Sequence, residues 1–256
     1  MNKLIIHQFE CLSDNYGVLI HDSETNQTAS IDAPDAVVIK RELKEKNWNL
    51  THILVTHKHL DHIGGIDDLK KYYNPFVIGP KYEEESIEFL DKTVLDQEFF
   101  DFSNRPVKVI HTPGHTLGHI IYWIENDNVL FAGDTIFAMG CGRVFEGSHD
   151  QMLDSLNKIK ELPENTIVYC GHEYTIANGK FALSIEPNNK NLCSRIEYVK
   201  ELRSENKPTL PTTIKTELDT NPFLRTDSLE IKKNLDLLNS DSKKIFSALR
   251  TKKDNF

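Results

Sequence analysis

With 256 residues, 39 acidic against 30 basic side chains and a formal charge of −9, the chain is long enough for an ordinary core and wrongly charged for a broad phosphate-backbone footprint, so no nucleic-acid partner is expected. Mean hydropathy is −0.44, no apolar run approaches about 18 residues, and the opening MNKLIIHQFECLSDN turns polar too soon for a signal-peptide core, which predicts a cytoplasmic protein with no membrane partner. The four cysteines, Cys11, Cys141, Cys170 and Cys193, form no CxxC pair, so any metal must be held by histidines and carboxylates.

Short runs rich in Ile, Val and Phe predict strands at Leu4 to Phe9, Tyr16 to Ile20, Ala29 to Ile31, His52 to Val55 and Phe76 to Ile78, then at Val107 to Ile110, His119 to Ile124, Val129 to Phe131 and Thr166 to Tyr169. Helical spacing appears between them at Asp35 to Lys46 and at Ile66 to Tyr73. A third helix is announced by Ser148 with Gln151 three residues later, the spacing of a capping box. After about Tyr174 the strand-like runs nearly stop, and helical periodicity takes over at Leu192 to Leu202, Ser228 to Leu238 and Asp241 to Lys252. The pattern predicts an α/β (α+β) chain in two parts, residues 1–172 and a smaller helical domain over 173–256.

The densest chemistry is THKHLDH at 56–62, where His57, His59, Asp61 and His62 are all potential ligands. One continuous helix would turn His59 away from the face shared by His57 and Asp61, so a loop at a strand end suits the motif better. The same placement recurs: HTPGH at 111–115, Gly133-Asp134 and Gly171-His172 each follow an apolar strand by a few residues. If those strands share a sheet, their ends converge on one edge. The set then comprises His57, His59, Asp61, His62, His115, Asp134 and His172, more than one tetrahedral ion needs and suited to two ions sharing a carboxylate. Spacing alone does not choose among His111, His115 and His119. His7, His21, His52 and His149 stand alone and read as ordinary hydrogen-bonded histidines.

These residues resemble the metallo-β-lactamase superfamily and, within it, the hydroxyacylglutathione hydrolase (glyoxalase II) family. The second likeness rests on Asp14-Asn15-Tyr16, HTPGHTLGH at 111–119, GDTIFAMGCGR at 133–143, FEG at 145–147, GHEYT at 171–175, EPNN at 186–189, NPFLR at 221–225 and ALRTKKDNF at the end. The resemblance implies an αββα sandwich carrying the metals, then a helical domain that helps to bind glutathione. It implies one metal on His57, His59 and His115, the other on Asp61, His62 and His172, and Asp134 bridging both. Two divalent ions are implied, zinc first, with iron or manganese able to use the same ligands. The implied substrate residues are Arg143, Phe145, Tyr174, Arg250 and Lys253; the family often has Tyr where this chain has Phe145.

The resemblance implies a monomeric thioester hydrolase acting on S-(2-hydroxyacyl)glutathione, typically S-(D-lactoyl)glutathione, and releasing glutathione and D-lactate in the second step of methylglyoxal detoxification. Asp134, with the hydroxide between the metals, and Asp61 are the expected catalytic carboxylates. Cys141 reads as a packing residue of its glycine-flanked loop. The alternative is a mononuclear-iron glutathione persulfide dioxygenase of the same superfamily, for which two histidines and one carboxylate would suffice.

Overall fold

β1 (Ile5–Cys11) and β2 (Asn15–Asp22) pair antiparallel across a tight turn, and every residue of β2 is buried, as a strand covered on both faces must be. These are the first strands of a computed structural model that describes residues 2–256. Its contacts divide it into two compact units, residues 1–111 with 118–133, and residues 112–117 with 134–256.

In the first unit β3 (Gln27–Ile31) continues the antiparallel pairing, after which β4 (His52–Leu54), β5 (Phe76–Pro80) and β6 (Lys92–Val94) add in parallel. Parallel neighbours require crossovers. The first is α1 (Ala36–Lys46), started by Asp35, whose carboxylate accepts the Val37 and Val38 amides, and ended by Asn47 in the left-handed conformation. The second is the pair α2 (Leu60–Ile63) and α3 (Ile66–Tyr73). Ile39, Leu43, Ile53, Leu69 and Val77 bury together where these helices cover the sheet. A second sheet of this unit runs antiparallel through β7 (Phe99–Phe102), β8 (Arg105–His111), β9 (Ile120–Ile124) and β10 (Val129–Phe131). The fully buried Tyr122 of β9 donates its hydroxyl to the Val55 carbonyl at 2.6 Å.

The second unit opens with the hairpin of β11 (Ile136–Phe137) and β12 (Gly140–Cys141) and continues into α4 (His149–Lys160), where the predicted capping box of Ser148 and Gln151 is present in both directions. β13 (Ile167–Tyr169) pairs with β14 (Thr212–Thr213), and the rest is helical: α5 (Thr175–Ile185), α6 (Lys190–Ser204), α7 (Ile214–Thr220), α8 (Leu229–Asn234) and α9 (Ser242–Asp254).

Two of the sequence motifs prove to be each other's partners. Glu186 of EPNN takes both Nε and Nη2 of Arg225 of NPFLR at 2.9 Å. Asn221 of NPFLR donates to the Phe137 and Gly140 carbonyls at 3.2 and 2.8 Å, so it holds the β11–β12 hairpin. The helix expected over Ser228 to Leu238 is shorter than its pattern, because α8 closes at Asn234 and Asp236 takes a positive φ of 56°.

Candidate metal centre

The candidate ligand run of the first unit leaves β4 as a loop and enters α2 one residue after His59, which is the N-cap position with extended backbone. His57 and His59 therefore precede the helix, while Asp61 and His62 ride on its first turn. The loop is held from below by Asp32, just past β3. Its carboxylate accepts the Thr56 amide at 2.7 Å, the Thr56 hydroxyl at 2.8 Å and His62 Nδ1 at 2.7 Å. Asp32 does this at φ 56°, a left-handed conformation that Asp tolerates better than most residues. Because an ionised carboxylate can only accept, the Nδ1 proton of His62 is fixed and the Nε2 lone pair is left for a cation. That Nε2 lies 3.5 Å from Asp61 Oδ2. His57 Nε2 and His59 Nδ1 are 3.1 Å apart. Asn15, from the Asp-Asn-Tyr motif, donates to Asp61 Oδ2 at 3.0 Å and fixes that carboxylate in turn.

In the second unit His115 donates Nδ1–H to the Arg143 carbonyl at 2.8 Å, which again leaves Nε2 for a ligand role. That nitrogen is 3.4 Å from Asp134 Oδ2, and His172 Nε2 is 3.3 Å from the same oxygen. One carboxylate oxygen thus lies between two imidazoles, all three side chains being buried. Gly142 makes room for this: a Cβ there would come within 2.0 Å of the Asp134 carbonyl oxygen. The His172 ring stacks on Tyr174 with centroids 4.8 Å apart and planes 5° from parallel.

The donor spacing fits bound cations. Ligand atoms at the usual 2.0–2.1 Å from a tetrahedral ion lie about 3.3 Å from one another, and the four neighbouring donor pairs are separated by 3.1, 3.5, 3.4 and 3.3 Å.

Of the three histidines left open by spacing, His115 meets Asp134, His111 packs its ring on Tyr82 at 4.9 Å, and His119 stacks on His57 at 4.7 Å. The isolated histidines have ordinary partners: His7 meets Glu42, His21 meets Thr28, His52 meets Thr51 and His149 meets Ser247. Burial pushes the Cys141 thiol up to about 11 despite the neighbouring Arg250, so it is no nucleophile near neutrality.

Among the expected substrate residues, Arg143, Phe145 and Tyr174 are open to solvent. The Phe145 ring meets His115 edge-on at 5.3 Å and lies 5.9 Å beneath the Arg143 guanidinium, so without a hydroxyl it packs both. Lys253, at the end of α9, extends over the Phe181 and Phe256 rings, and partial burial together with the Arg250 charge draws its ammonium below the usual lysine value. Arg250 is only 4% exposed. Its guanidinium donates to the Cys141 carbonyl and to Asp254, both at 2.9 Å, and lies 5.1 Å over Phe223. The inward position of Arg250 had no signal in the sequence. Asp32 belongs to none of the motifs, although it has the same placement as the candidate ligands, an acid just past an apolar strand.

Two protein families match the chain in tandem, the metallo-beta-lactamase superfamily over residues 23–172 and the hydroxyacylglutathione hydrolase C-terminus over residues 173–256. A hydroxyacylglutathione hydrolase of Bartonella henselae is 46% identical over 253 residues, covering 99% of this chain and 100% of that protein. One of Brucella anthropi is 48% identical, covering 99% and 98%. This chain belongs to the hydroxyacylglutathione hydrolase family. The crystal structure of ETHE1 from Myxococcus xanthus superposes with a TM-score of 0.67 at 26% identity, over 97% of this chain and 98% of that one. The fold is accordingly that of the metallo-β-lactamases with a helical C-terminal region, and the chain is a hydrolase of this family; the dioxygenase alternative is not favoured. The superfamily and the clustered imidazoles and carboxylates together point to divalent cations. No helix among the described residues is long and apolar enough to cross a membrane.

Proposed function

We propose that the chain hydrolyses S-(2-hydroxyacyl)glutathione, S-(D-lactoyl)glutathione above all, with two divalent ions, zinc ahead of iron or manganese, as a cytoplasmic monomer. In this reading residues 1–172 carry the chemistry and residues 173–256 bind glutathione. His57, His59 and His115 hold one ion, Asp61, His62 and His172 hold the other, and Asp134 joins them. The observation that carries the reading is the Asp134 oxygen at 3.4 and 3.3 Å from two imidazole nitrogens, the disposition of a bridging ligand.

Bound divalent ions supply a water acidic enough to lose its proton near neutral pH and a positive field for the developing oxyanion. The chain's own residues do the rest. Asp134 and Asp61 orient the attacking water, and Asp134 accepts its proton. Asp32, the Arg143 carbonyl and Asn15 hold His62, His115 and Asp61 in the required tautomers and orientations. Arg143 and Lys253 offer cations to the peptide carboxylates of glutathione, and Tyr174 and Phe145 offer aromatic surface to its backbone. Arg250 serves by pinning the Cys141–Gly142 turn from which Arg143 projects.

Turnover on a panel of glutathione thioesters, β-lactams and glutathione persulfide, with elemental analysis of the same preparation, tests the proposal. Thioester turnover with about two metals per chain is the expected result; turnover of the persulfide alone with one iron would replace it.

The two C-terminal cations should behave differently. A charge-assisted hydrogen bond contributes about 1.5–3 kcal/mol, so Lys253→Ala should raise KM for the glutathione thioester by about tenfold or more and leave metal content unchanged. Arg250→Ala removes a buried anchor and leaves polar partners unmet, so Tm should drop by roughly 5 °C. Thermal melts and steady-state kinetics on both variants check this; equal KM effects with unchanged Tm would make Arg250 a direct substrate ligand.

A further inference from the structure

Glu83 belongs to none of the sequence motifs, yet it is 3% exposed and closes the short turn Lys81–Glu83 after β5. Its Oε2 accepts the backbone N–H of Lys58 at 2.7 Å, and its Oε1 accepts the backbone N–H of Gly118 at 3.1 Å. Lys58 is the residue between His57 and His59. Gly118 immediately precedes His119, whose ring stacks on His57 at 4.7 Å. One carboxylate therefore ties together the two loops that flank His57, and the Ile120 amide, bonded to the Thr56 carbonyl at 3.0 Å, extends the same tie.

The second glycine of the HTPGHTLGH stretch has its explanation here. A Cβ at Gly118 would stand 2.4 Å from Glu83 Cγ and 3.0 Å from its Cδ, so only glycine lets the carboxylate seat itself. The charge type matters as well. Two amide donors meet two different oxygens, and a carboxylate can accept on both, whereas a neutral amide would accept from one and turn an NH2 toward the other.

We propose that Glu83 is a positioning residue for the metal-ligand loop, fixing the backbone between His57 and His59 so that both imidazoles address one cation. The inference rests on the reading of these histidines as metal ligands. Removing an outer-shell partner typically costs about 10- to 100-fold in metal affinity or activity, and that is the effect expected here.

Cobalt(II) titration of chelator-treated protein, followed by its visible absorption and by competition with a chelator, tests the proposal in Glu83→Gln and Glu83→Ala. Glu42→Gln serves as the control, since Glu42 is also a buried carboxylate but binds His7 and Arg41 at 2.8 Å, away from the ligand run. Glu83→Gln should bind cobalt about 10- to 100-fold more weakly, change the absorption bands, and lower kcat more than it raises KM, while Glu42→Gln keeps the wild-type spectrum. If Glu83→Ala does not fold, the glutamine variant decides. Wild-type cobalt affinity and bands in Glu83→Gln would overturn the proposal. Wild-type protein that bound no cobalt would overturn the metal reading itself and this inference with it, so the two failures are distinguishable.

Discussion

Asp134→Asn is expected to lower kcat/KM by at least about 10³-fold, because in the proposed centre several kcal/mol of transition-state stabilisation rest on cations that its charge would help to hold. The substitution keeps the side-chain volume and removes the anion that stands between His115 and His172. Metal content should fall from two ions per chain toward one or none, and elemental analysis reads this independently of turnover. The variant should still fold, since relief of carboxylate burial offsets the lost contacts in the metal-free protein. An Asp134→Asn protein that retained two metals and near-normal kinetics would remove the bridging role.

The largest stability effect is expected far from the site, at Arg105. This side chain is 1% exposed, donates Nη1 to Asp22 at 2.6 Å and Nε to Asp127 at 2.8 Å, and also reaches the Asn2 carbonyl. Breaking a buried ion pair from one side costs about 3–5 kcal/mol, or roughly 10 °C in Tm for a chain of this size. Arg105→Met, which fills most of the volume, should therefore melt about 10 °C lower and keep its metal content, because β8 carries Arg105 at the end opposite His111, about 20 Å along the strand.

The pH dependence follows from Asp22. Burial alone pushes its carboxyl up, but the Ser103 hydroxyl, the Glu24 amide and the Arg105 guanidinium outweigh burial and hold it well below the usual carboxylate range. A carboxyl depressed in the folded state contributes stability in full above its unfolded value, near 3.8, and loses it as pH falls further. The Tm gap between wild type and Arg105→Met should be full at neutral pH and narrow below about pH 4. A gap that stayed constant down to low pH would mean that packing, not charge, accounts for the loss.

How much of this could be read from the chain depends on the range of the interactions involved. The strands before and after THKHLDH, the capping box of α4 and the seven candidate ligand residues are local signals, set by alternation, by a Ser and a Gln three positions apart, and by ionisable groups placed just past apolar runs. Helix α5 gave no such signal, since Thr175, Asn178, Gly179, Phe181, Ala182 and Ile185 are all buried, and a helix covered on several sides shows no clean stripe. The change of texture near residue 173 marks where strands give way to helices. The compact units are divided differently, with Thr112–Leu117 and everything from Asp134 onward in one of them, because compactness follows contacts and not element type.

The kind of chemistry was legible in the chain alone: histidines and carboxylates at strand ends, cysteines out of play, and motif runs specific enough to point to one family. Which groups serve that chemistry at second hand became visible only once the chain was folded. Asp32 beneath His62, the Arg143 carbonyl behind His115, Glu83 between two loops, and Arg250 turned inward beneath the Cys141 turn are all contacts between residues distant along the chain or made through backbone atoms. A backbone carbonyl or amide is the same in every residue, so no side-chain pattern can announce where it will be used.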